Sequence, residues 1–304
     1  MPELPEVETL RRLLVSRLQG AVFVSAEAVS PVVLRNSDPV SFSAAICGRQ
    51  MLDVRRRGKY LLFILGAANH CPTTEETEYR VTGGSDDEID FIVHLRMRGS
   101  LLVEDAQTPP AKYLCASIAM QDGRELRYYD MWRWGELWLL PHNDLSALKG
   151  LVGLGPDPFD AAFTPLYLTE RLRSRRAAIK PLLLDQCIVA GLGNIYCDES
   201  LNRAGIHPAR IAASLSADEI TRLYDSARFV LSAALGQGGS YAALLAESGG
   251  NLSDFEGVYT PQVYDRPGKP CPQCEQPLQK ISFHGRGTTF CPNCQPDAGP
   301  LKSG

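Results

Sequence analysis

The sequence has no apolar run of the roughly 18 residues that a membrane-spanning helix needs. It also lacks the basic start and apolar stretch of a secretory signal, since residues 1–6 hold two acidic residues and two prolines. No internal repeat or low-complexity tract is present. With 44% apolar and 22% charged residues, the composition is that of a globular protein. We therefore expect a cytoplasmic protein without a membrane partner.

Nothing in the sequence indicates export, so its nine cysteines do not predict a set of disulfides. Five are scattered, and we expect reduced, small apolar side chains in or near cores at Cys47, Cys71, Cys115, Cys187 and Cys197. The other four form two Cys-x-x-Cys pairs with sixteen residues between them: Cys271, Cys274, Cys291 and Cys294. Zinc takes four tetrahedral ligands, and each pair supplies two thiolates. The spacing predicts one structural Zn²⁺ ion with a β-hairpin between the pairs.

A net excess of basic residues is absent too, since the formal net charge is −4. Residues 75–90 alone carry −6 and are typical of an exposed acidic loop, so the rest of the chain carries +2. Basic residues are concentrated in residues 55–59 and 171–180. Local patches rather than total charge decide whether a phosphate backbone is attracted. The composition therefore leaves a nucleic-acid partner open.

Apolar spacing predicts a helix over residues 5–19, which Gly20 ends. Short β-rich runs follow at residues 22–29, 51–65, 89–104, 113–120, 124–129 and 136–140. Helical patterns return at residues 166–175, 178–188, 195–204, 217–235 and 241–247. A helix followed by antiparallel strands predicts an α+β fold with an N-terminal two-sheet β-sandwich. Composition shifts place a β-sandwich domain at 1–145, a linker at 146–163, a helical domain at 164–256 and a zinc module at 257–304.

The amino terminus offers an unusual nucleophile. Removal of Met1 would leave Pro2 with a secondary amine, whose ordinary pKa near 8 keeps a useful fraction neutral at about pH 7. Such an amine can attack an electron-poor carbon and form an iminium. The carboxylates of Glu3 and Glu6 stand beside it and can move protons. Proline at position two and acids near a helix start are also common structural features, so these residues alone leave a structural interpretation open.

Several segments carry a resemblance that covers almost the whole chain. They are residues 1–9, the lysine-bearing residues 56–62, residues 94–99, residues 191–196 running on to 204–208, and the arginine-bearing residues 285–291. In this order they resemble motifs of the formamidopyrimidine-DNA glycosylases, bacterial repair enzymes that remove oxidised purines. The resemblance implies a helix–two-turn–helix motif in the helical domain and a zinc finger at the end. It also implies that the partner is double-stranded DNA with oxidised purines, bound by a monomer at the nucleoid.

The resemblance also implies residue roles. Pro2 would attack C1′ of the damaged nucleotide, and Glu3 would act as general acid and base. Lys59 would bind phosphate and donate a proton in β-elimination, while Arg286 would bind phosphate and assist δ-elimination. Further DNA contacts are implied for His94, Met97, Arg133, Trp134, Arg175 and Asn194. A flipped base leaves a gap that an apolar side chain such as Met97 can fill.

Three positions depart from the family pattern. Where the family loop after the Tyr-x-Asp strand usually reads Asp-Pro-Arg-Arg-Phe-Gly, this chain has Trp132 at the first arginine and Trp134 at the phenylalanine. Arg133 is retained as the second arginine, and either it takes over the contact with the cytosine opposite the lesion or recognition of that base is looser. Tyr113 stands where the family has a DNA-contacting histidine. These changes bear on the choice of the base opposite the lesion and leave the chemistry in place.

Two alternatives remain from the sequence. One is an endonuclease VIII-like enzyme for oxidised pyrimidines, against which Leu4 argues, because that branch usually has glycine there. The Gly-rich residues 238–258 are long enough for a loop that covers the lesion, which also favours the purine branch. The other alternative is a DNA-binding protein without activity. The joint presence of Pro2, Glu3, Lys59 and Arg286 argues against it.

Overall fold

A computed structural model describes residues 2–67, 88–240 and 258–296 of the 304-residue chain. The predicted helix at 241–247, most of the acidic segment and most of the Gly-rich segment lie outside these residues. The chain divides into two compact units. We call them the β-rich unit (residues 1–2, 6–152 and 238–258) and the helical–zinc unit (residues 3–5, 153–237 and 259–304).

The regular elements follow in chain order. The helices are α1 (Leu4–Leu18), α2 (Pro39–Ile46), α3 (Lys149–Val152), α4 (Pro165–Leu172), α5 (Ile179–Leu184), α6 (Asn194–Ala204) and α7 (Ala217–Gly236). The strands are β1 (Phe23–Glu27), β2 (Arg49–Arg57), β3 (Tyr60–Ala67), β4 (Ile89–His94), β5 (Ser100–Asp105), β6 (Leu114–Met120), β7 (Arg124–Tyr129), β8 (Glu136–Pro141), β9 (Gln279–Phe283) and β10 (Arg286–Phe290). Short 3₁₀ turns occupy Pro31–Val33 and Ala212–Ser214.

The β-rich unit contains two four-stranded antiparallel sheets. Their strand orders are β2-β3-β4-β8 and β1-β6-β7-β5. Apolar side chains from both sheets and from α1 form one buried core, in which Leu10, Leu14 and Phe63 are at most 2% exposed. The predicted sandwich is confirmed. The runs predicted at 51–65 and 89–104 each cover a turn, because Gly58 and residues 95–99 reverse the chain inside them.

The helical–zinc unit packs α4 to α7 around a second apolar core. Ser216 and Glu219 form a reciprocal capping box at the start of α7, which satisfies two N–H groups that the helix leaves unpaired. The helix predicted at 178–188 ends early, at Leu184. Gln186 stabilises the turn that follows, because its Nε2 donates to Leu184 O at 3.0 Å and to Leu192 O at 2.8 Å.

The scattered cysteines only partly follow the prediction. Cys115 and Cys197 are buried, as expected. Cys47 and Cys187 are exposed, so the prediction was wrong for them. Both lie where a helix has just ended, Cys47 after α2 and Cys187 in the turn after α5, and neither faces a core. Cys71 lies outside the described residues.

The cysteine-bearing end of the helical–zinc unit forms the predicted hairpin, β9 paired antiparallel with β10. Its two turn residues, His284 and Gly285, both have positive φ, at 48° and 72°. That pair of conformations suits a two-residue hairpin turn, whose twist matches the strands. Arg286 is the first residue after the turn. Among the described residues, no helix combines the length and apolarity needed to cross a membrane.

Candidate active site, DNA-contacting loops and metal centre

The Glu3 carboxylate lies at the N-terminus of α6. It accepts hydrogen bonds from Ile195 N at 2.9 Å and Tyr196 N at 3.4 Å, and the residue is 1% exposed. The next peptide is anchored as well, since Leu4 N donates to Gly191 O at 3.0 Å. Free N–H groups and the positive end of the helix dipole favour a negative charge at this place. The carboxylate beside Pro2 is therefore held in one orientation by the backbone of α6.

The hairpin that carries Arg286 is joined to the same end of α6. Asn194 Nδ2 donates to Gly287 O at 3.0 Å, next to Arg286 in the chain. Arg286 itself is exposed. Glu3, Asn194 and the arginine-bearing turn thus form one group within the helical–zinc unit.

A buried ion pair inside the helical–zinc unit stabilises this group. Lys180 Nζ donates to Asp198 Oδ1 at 2.5 Å, to Thr288 Oγ1 at 2.8 Å and to Gly287 O at 3.3 Å. Asp198 Oδ2 accepts from Thr289 N at 2.9 Å. Burial outweighs the opposing effect of the nearby Lys180 ammonium and raises the pKa of Asp198 to about 6. The pair connects α5 and α6 to β10.

Lys59 lies in the turn between β2 and β3 of the β-rich unit and is 8% exposed. His94 on β4 is paired with Tyr60, which directly follows Lys59 in the chain. Burial, together with the positive charges of Arg96 and Lys59, lowers the pKa of His94 to about 3. Arg96 N donates to His94 Nδ1 at 3.2 Å. His94 is therefore neutral near pH 7, with its proton on Nε2, and it borders the Lys59 ammonium.

A charged network, not foreseen from the sequence, joins α1 to the lysine-bearing turn. Arg56 Nε donates to Glu8 Oε2 at 3.1 Å, and Arg56 Nη1 donates to Gly58 O at 3.0 Å. Burial raises the pKa of the Glu8 carboxyl, but hydrogen bonds from Arg11 and Arg12 outweigh it and hold the pKa at about 2. Because Glu8 lies on α1, this network fixes that helix relative to Lys59.

Two neighbouring loops of the β-rich unit carry most of the other predicted DNA contacts. We call residues 95–99 the methionine loop and residues 130–135 the tryptophan loop. Met97, Arg133 and Trp134 are all exposed. Trp132 was noted in this loop from the sequence but was not counted among the DNA contacts, and its ring centroid lies 4.7 Å from that of Trp134. Their local signal was the Trp-Arg-Trp run itself.

Arg175 is exposed in the segment between α4 and α5. Its backbone is fixed, because Arg175 N donates to Leu172 O at 2.9 Å and Arg175 O accepts from Ala213 N at 3.0 Å. The predicted contact of its side chain with DNA stays a prediction.

The four predicted zinc ligands lie together. The Sγ atoms of Cys271, Cys274, Cys291 and Cys294 are all within 4.8 Å of one another. A tetrahedral zinc site with Zn–S bonds of about 2.3 Å places its sulfurs roughly 3.8 Å apart. The Cys271–Cys294 and Cys274–Cys291 sulfur pairs are 3.9 and 3.5 Å apart. Backbone N–H groups of Gln273 and Cys294 point at sulfur, each at 3.4 Å. The residues fit one structural ion.

Gln295, which sequence reasoning missed, attaches the metal centre to α6. It is 1% exposed, and its Oε1 accepts from Cys291 N and from Asn202 Nδ2, both at 2.9 Å. Its Nε2 donates to Ile206 O at 2.8 Å. Such outer contacts orient metal ligands. The metal centre and the arginine-bearing hairpin are therefore both fixed to one helix.

Comparison with known proteins agrees with this arrangement. Residues 1–137 match the formamidopyrimidine-DNA glycosylase N-terminal domain, residues 154–244 its H2TH domain, and residues 268–296 the zinc finger found in FPG and IleRS. The formamidopyrimidine-DNA glycosylase of Pelotomaculum thermopropionicum is 39% identical over 97% of this chain and 99% of its own length. That of Symbiobacterium thermophilum is 42% identical over 97% and 90%.

Solved structures show the same likeness. The Lactococcus lactis Fpg, in complex with DNA containing an abasic site, superposes with a TM-score of 0.81 at 33% identity, over 96% of this chain and 99% of that one. The sandwich, the helical domain and the four-cysteine finger thus define a base-excision DNA repair glycosylase that binds double-stranded DNA. The chain belongs to the formamidopyrimidine-DNA glycosylase family.

Proposed function

We propose that this protein removes oxidised purines from duplex DNA through an N-terminal proline Schiff base and cleaves the abasic site by β,δ-elimination. The observation that carries the proposal is the Glu3 carboxylate, oriented by two N–H groups of α6 and adjacent in sequence to Pro2. Relatives in complex with Fapy-dG and with carbocyclic 8-oxo-G DNA support the purine class. A protein acting on chromosomal DNA would work in the cytoplasm, at the nucleoid.

The proposed reaction begins with a base turned out of the duplex, because the sugar carbon is otherwise out of reach. The Pro2 amine attacks C1′, the bond to the base breaks, and an iminium forms between Pro2 and the opened sugar. Glu3 transfers protons to and from the sugar in these steps. The iminium then withdraws electrons, so that the 3′ and then the 5′ phosphate leave.

Two cations are proposed to bind the phosphates. Lys59 lies in a tight turn held by Arg56, and neutral His94 adds no competing charge beside it. Arg286 stands exposed at the tip of a hairpin that Lys180 and Asp198 hold from inside. We propose that Lys59 serves β-elimination and Arg286 serves δ-elimination. The same hypothesis gives the zinc ion its role, which is to fix the hairpin that presents Arg286.

The test is borohydride trapping on a duplex that contains 8-oxoguanine. We expect a covalent protein–DNA complex with the natural N-terminus. A protein with one residue added before Pro2 keeps every side chain but no longer has an amine on Pro2, and it should form none. Intact mass must show that Met1 is absent from the active protein. A trapped complex formed equally by the extended protein would refute the proline nucleophile.

The two elimination steps can be separated by product length on a denaturing gel. Arg286→Ala should accumulate the β-elimination product, while Lys59→Ala should slow strand cleavage as a whole. A parallel duplex with an oxidised pyrimidine tests the alternative lesion class. Faster cleavage of that duplex than of the 8-oxoguanine duplex would favour the endonuclease VIII-like alternative.

A further inference from the structure

The methionine and tryptophan loops expose an unusual set of side chains. Met97, Met131, Trp132 and Trp134 are 38%, 41%, 40% and 55% exposed. We call these four side chains the tryptophan platform. A cluster of exposed large apolar groups marks a binding surface. Exposed basic residues share the two loops: Arg96, Arg98 and Arg133. Aromatic plates among positive charges suit a nucleic-acid strand, whose bases stack and whose phosphates are anionic.

The platform is held rigidly from within. Asp130, which is 2% exposed, accepts from Trp132 N at 3.0 Å and from Gly135 N at 2.7 Å. Tyr128 Oη donates to the same carboxylate at 3.2 Å. Burial raises the pKa of Tyr128, so the hydroxyl stays protonated and remains a donor. The tryptophan loop is therefore ordered before it meets any ligand, which lowers the entropy cost of binding.

The same tyrosine brings the two loops together. A Cβ on Gly99 of the methionine loop would lie 2.5 Å from Tyr128 Oη, and one on Gly135 of the tryptophan loop would lie 1.6 Å from it. The backbone of each loop therefore packs directly against the Tyr128 hydroxyl at a glycine, where a side chain would clash. Across the junction, Arg98 Cζ lies 5.8 Å from the centre of the Trp132 ring. Met97 and Trp132 therefore belong to a single surface.

Turning a base out of the duplex has two structural consequences. It leaves a gap in the stack, and it leaves the base on the other strand without a partner. A flexible side chain such as Met97 can fill the gap. We propose that the Trp132 indole stacks on the unpaired base opposite the lesion, an inference that rests on the function proposed above. Every base has an aromatic face, so stacking accepts all four bases, whereas hydrogen-bond donors in a guanidinium distinguish them.

Trp132 would then make this chain tolerant of the opposite base. We expect single-turnover cleavage of 8-oxoguanine to vary by only about threefold among duplexes with cytosine, adenine, guanine or thymine opposite, because stacking is sequence-tolerant. Trp132→Ala should slow all four by roughly 5- to 100-fold at subsaturating enzyme, since one base–aromatic stack is lost. Trp132→Arg should restore discrimination among the four of roughly tenfold.

A fluorescence measurement tests the contact without any turnover. The chain has three tryptophans, so Trp134→Phe combined with Trp138→Phe leaves Trp132 as the sole indole. Titration with a duplex carrying an uncleavable abasic analogue should quench its emission, because the ring stacks on a base. As a matched control, Phe229→Ala removes another exposed aromatic side chain, 54% exposed, in the helical–zinc unit. It should leave cleavage of all four duplexes unchanged.

The outcomes separate this inference from the proposed function. Quenching together with a uniform loss in Trp132→Ala supports stacking. Unchanged emission, or a loss confined to the cytosine duplex, overturns it. If Trp132→Ala leaves every DNA measurement unaltered, the platform serves a different partner and the inference is wrong. If borohydride traps no complex while the duplex still quenches Trp132, the catalytic proposal fails and the stacking contact stands.

Discussion

The buried ion pair between Lys180 and Asp198 is the most direct point at which to disturb the link between fold and site. Both side chains are 1% exposed, and the ammonium has three protein acceptors within 3.3 Å. Lys180→Met keeps much of the side-chain volume but leaves the Asp198 carboxyl without its cation. Removing one member of a buried pair costs about 3–5 kcal/mol. We expect the helical–zinc unit to lose stability by about that amount.

The assay follows from where the chromophores lie. All three tryptophans, at positions 132, 134 and 138, are in the β-rich unit, so their emission does not report on the helical–zinc unit. Helices α4 to α7 are in the helical–zinc unit, and far-UV circular dichroism during urea denaturation follows them. The functional readout is the ratio of δ- to β-elimination product. It should fall, because Gly287 and Thr288, which Lys180 holds, directly follow Arg286.

The matched control is the double variant Lys180→Met with Asp198→Asn. It removes both charges and keeps an oxygen that accepts from Thr289 N. Replacing both partners of a buried pair is far milder than removing one, so the double variant should regain about 2 kcal/mol or more over Lys180→Met. A single variant that costs less than about 1 kcal/mol, or a double variant no more stable than the single one, would refute this reasoning.

Three further outcomes are expected. Gly135→Ala would put a carbon 1.6 Å from Tyr128 Oη, so it should lower the free energy of unfolding by roughly 2–4 kcal/mol and abolish DNA binding. The control Gly236→Ala has open space around the added carbon and should not destabilise the protein. Equal melting temperatures of the two variants would contradict this prediction. The pKa of Glu8 is about 2 in the folded protein, against 4.5 ordinarily. The stability that ionised Glu8 gives to the fold is therefore complete above pH 4.5 and is lost as the pH falls toward 2. Glu8→Gln should therefore unfold roughly 1–2 kcal/mol more easily at about pH 7 and show a flatter acid profile by urea titration. Chelation of zinc should abolish DNA binding while tryptophan emission stays native, and unimpaired binding after verified metal loss would contradict it.

The parts of the fold with local causes were predictable from the sequence. Helices α6 and α7 were each predicted to within one residue at both ends, because their helical patterns are properties of the local sequence. The cysteine pairs predicted the metal centre through spacing alone. Helices α2 and α3 were missed. Helix α2 begins at Pro39 with Asp38 as its N-cap. From sequence alone, a short segment with a proline and an aspartate at its start resembles a loop.

The parts with long-range causes were not predictable. Lys180 was interpreted as one member of a basic run, yet it is buried, because its partner Asp198 is supplied by another helix. Tyr128 was predicted near the end of a strand and Asp130 at the start of the loop after it, but their role in holding two loops in place was not predicted. The spacing of residues in a single sequence does not indicate contacts between positions that lie this far apart in the chain. Trp132 was recognised as a departure from the family pattern, but its ring partner emerged only from the fold.

These long-range contacts converge on α6. It is buried on nearly all faces, and polar residues on it bind different segments of the chain. Asp198 holds the hairpin of Arg286, Glu199 accepts from three successive backbone N–H groups at residues 262–264, and Asn202 holds the residue that orients Cys291. Its N-terminus holds Glu3. Local sequence alone would place these acids on a solvated face. Buried polar groups persist only when each is paired, so their burial requires all of these segments to dock together. The positions of the Glu3 carboxylate proposed for catalysis, of the arginine proposed to bind phosphate and of the zinc centre therefore all depend on the packing of one helix.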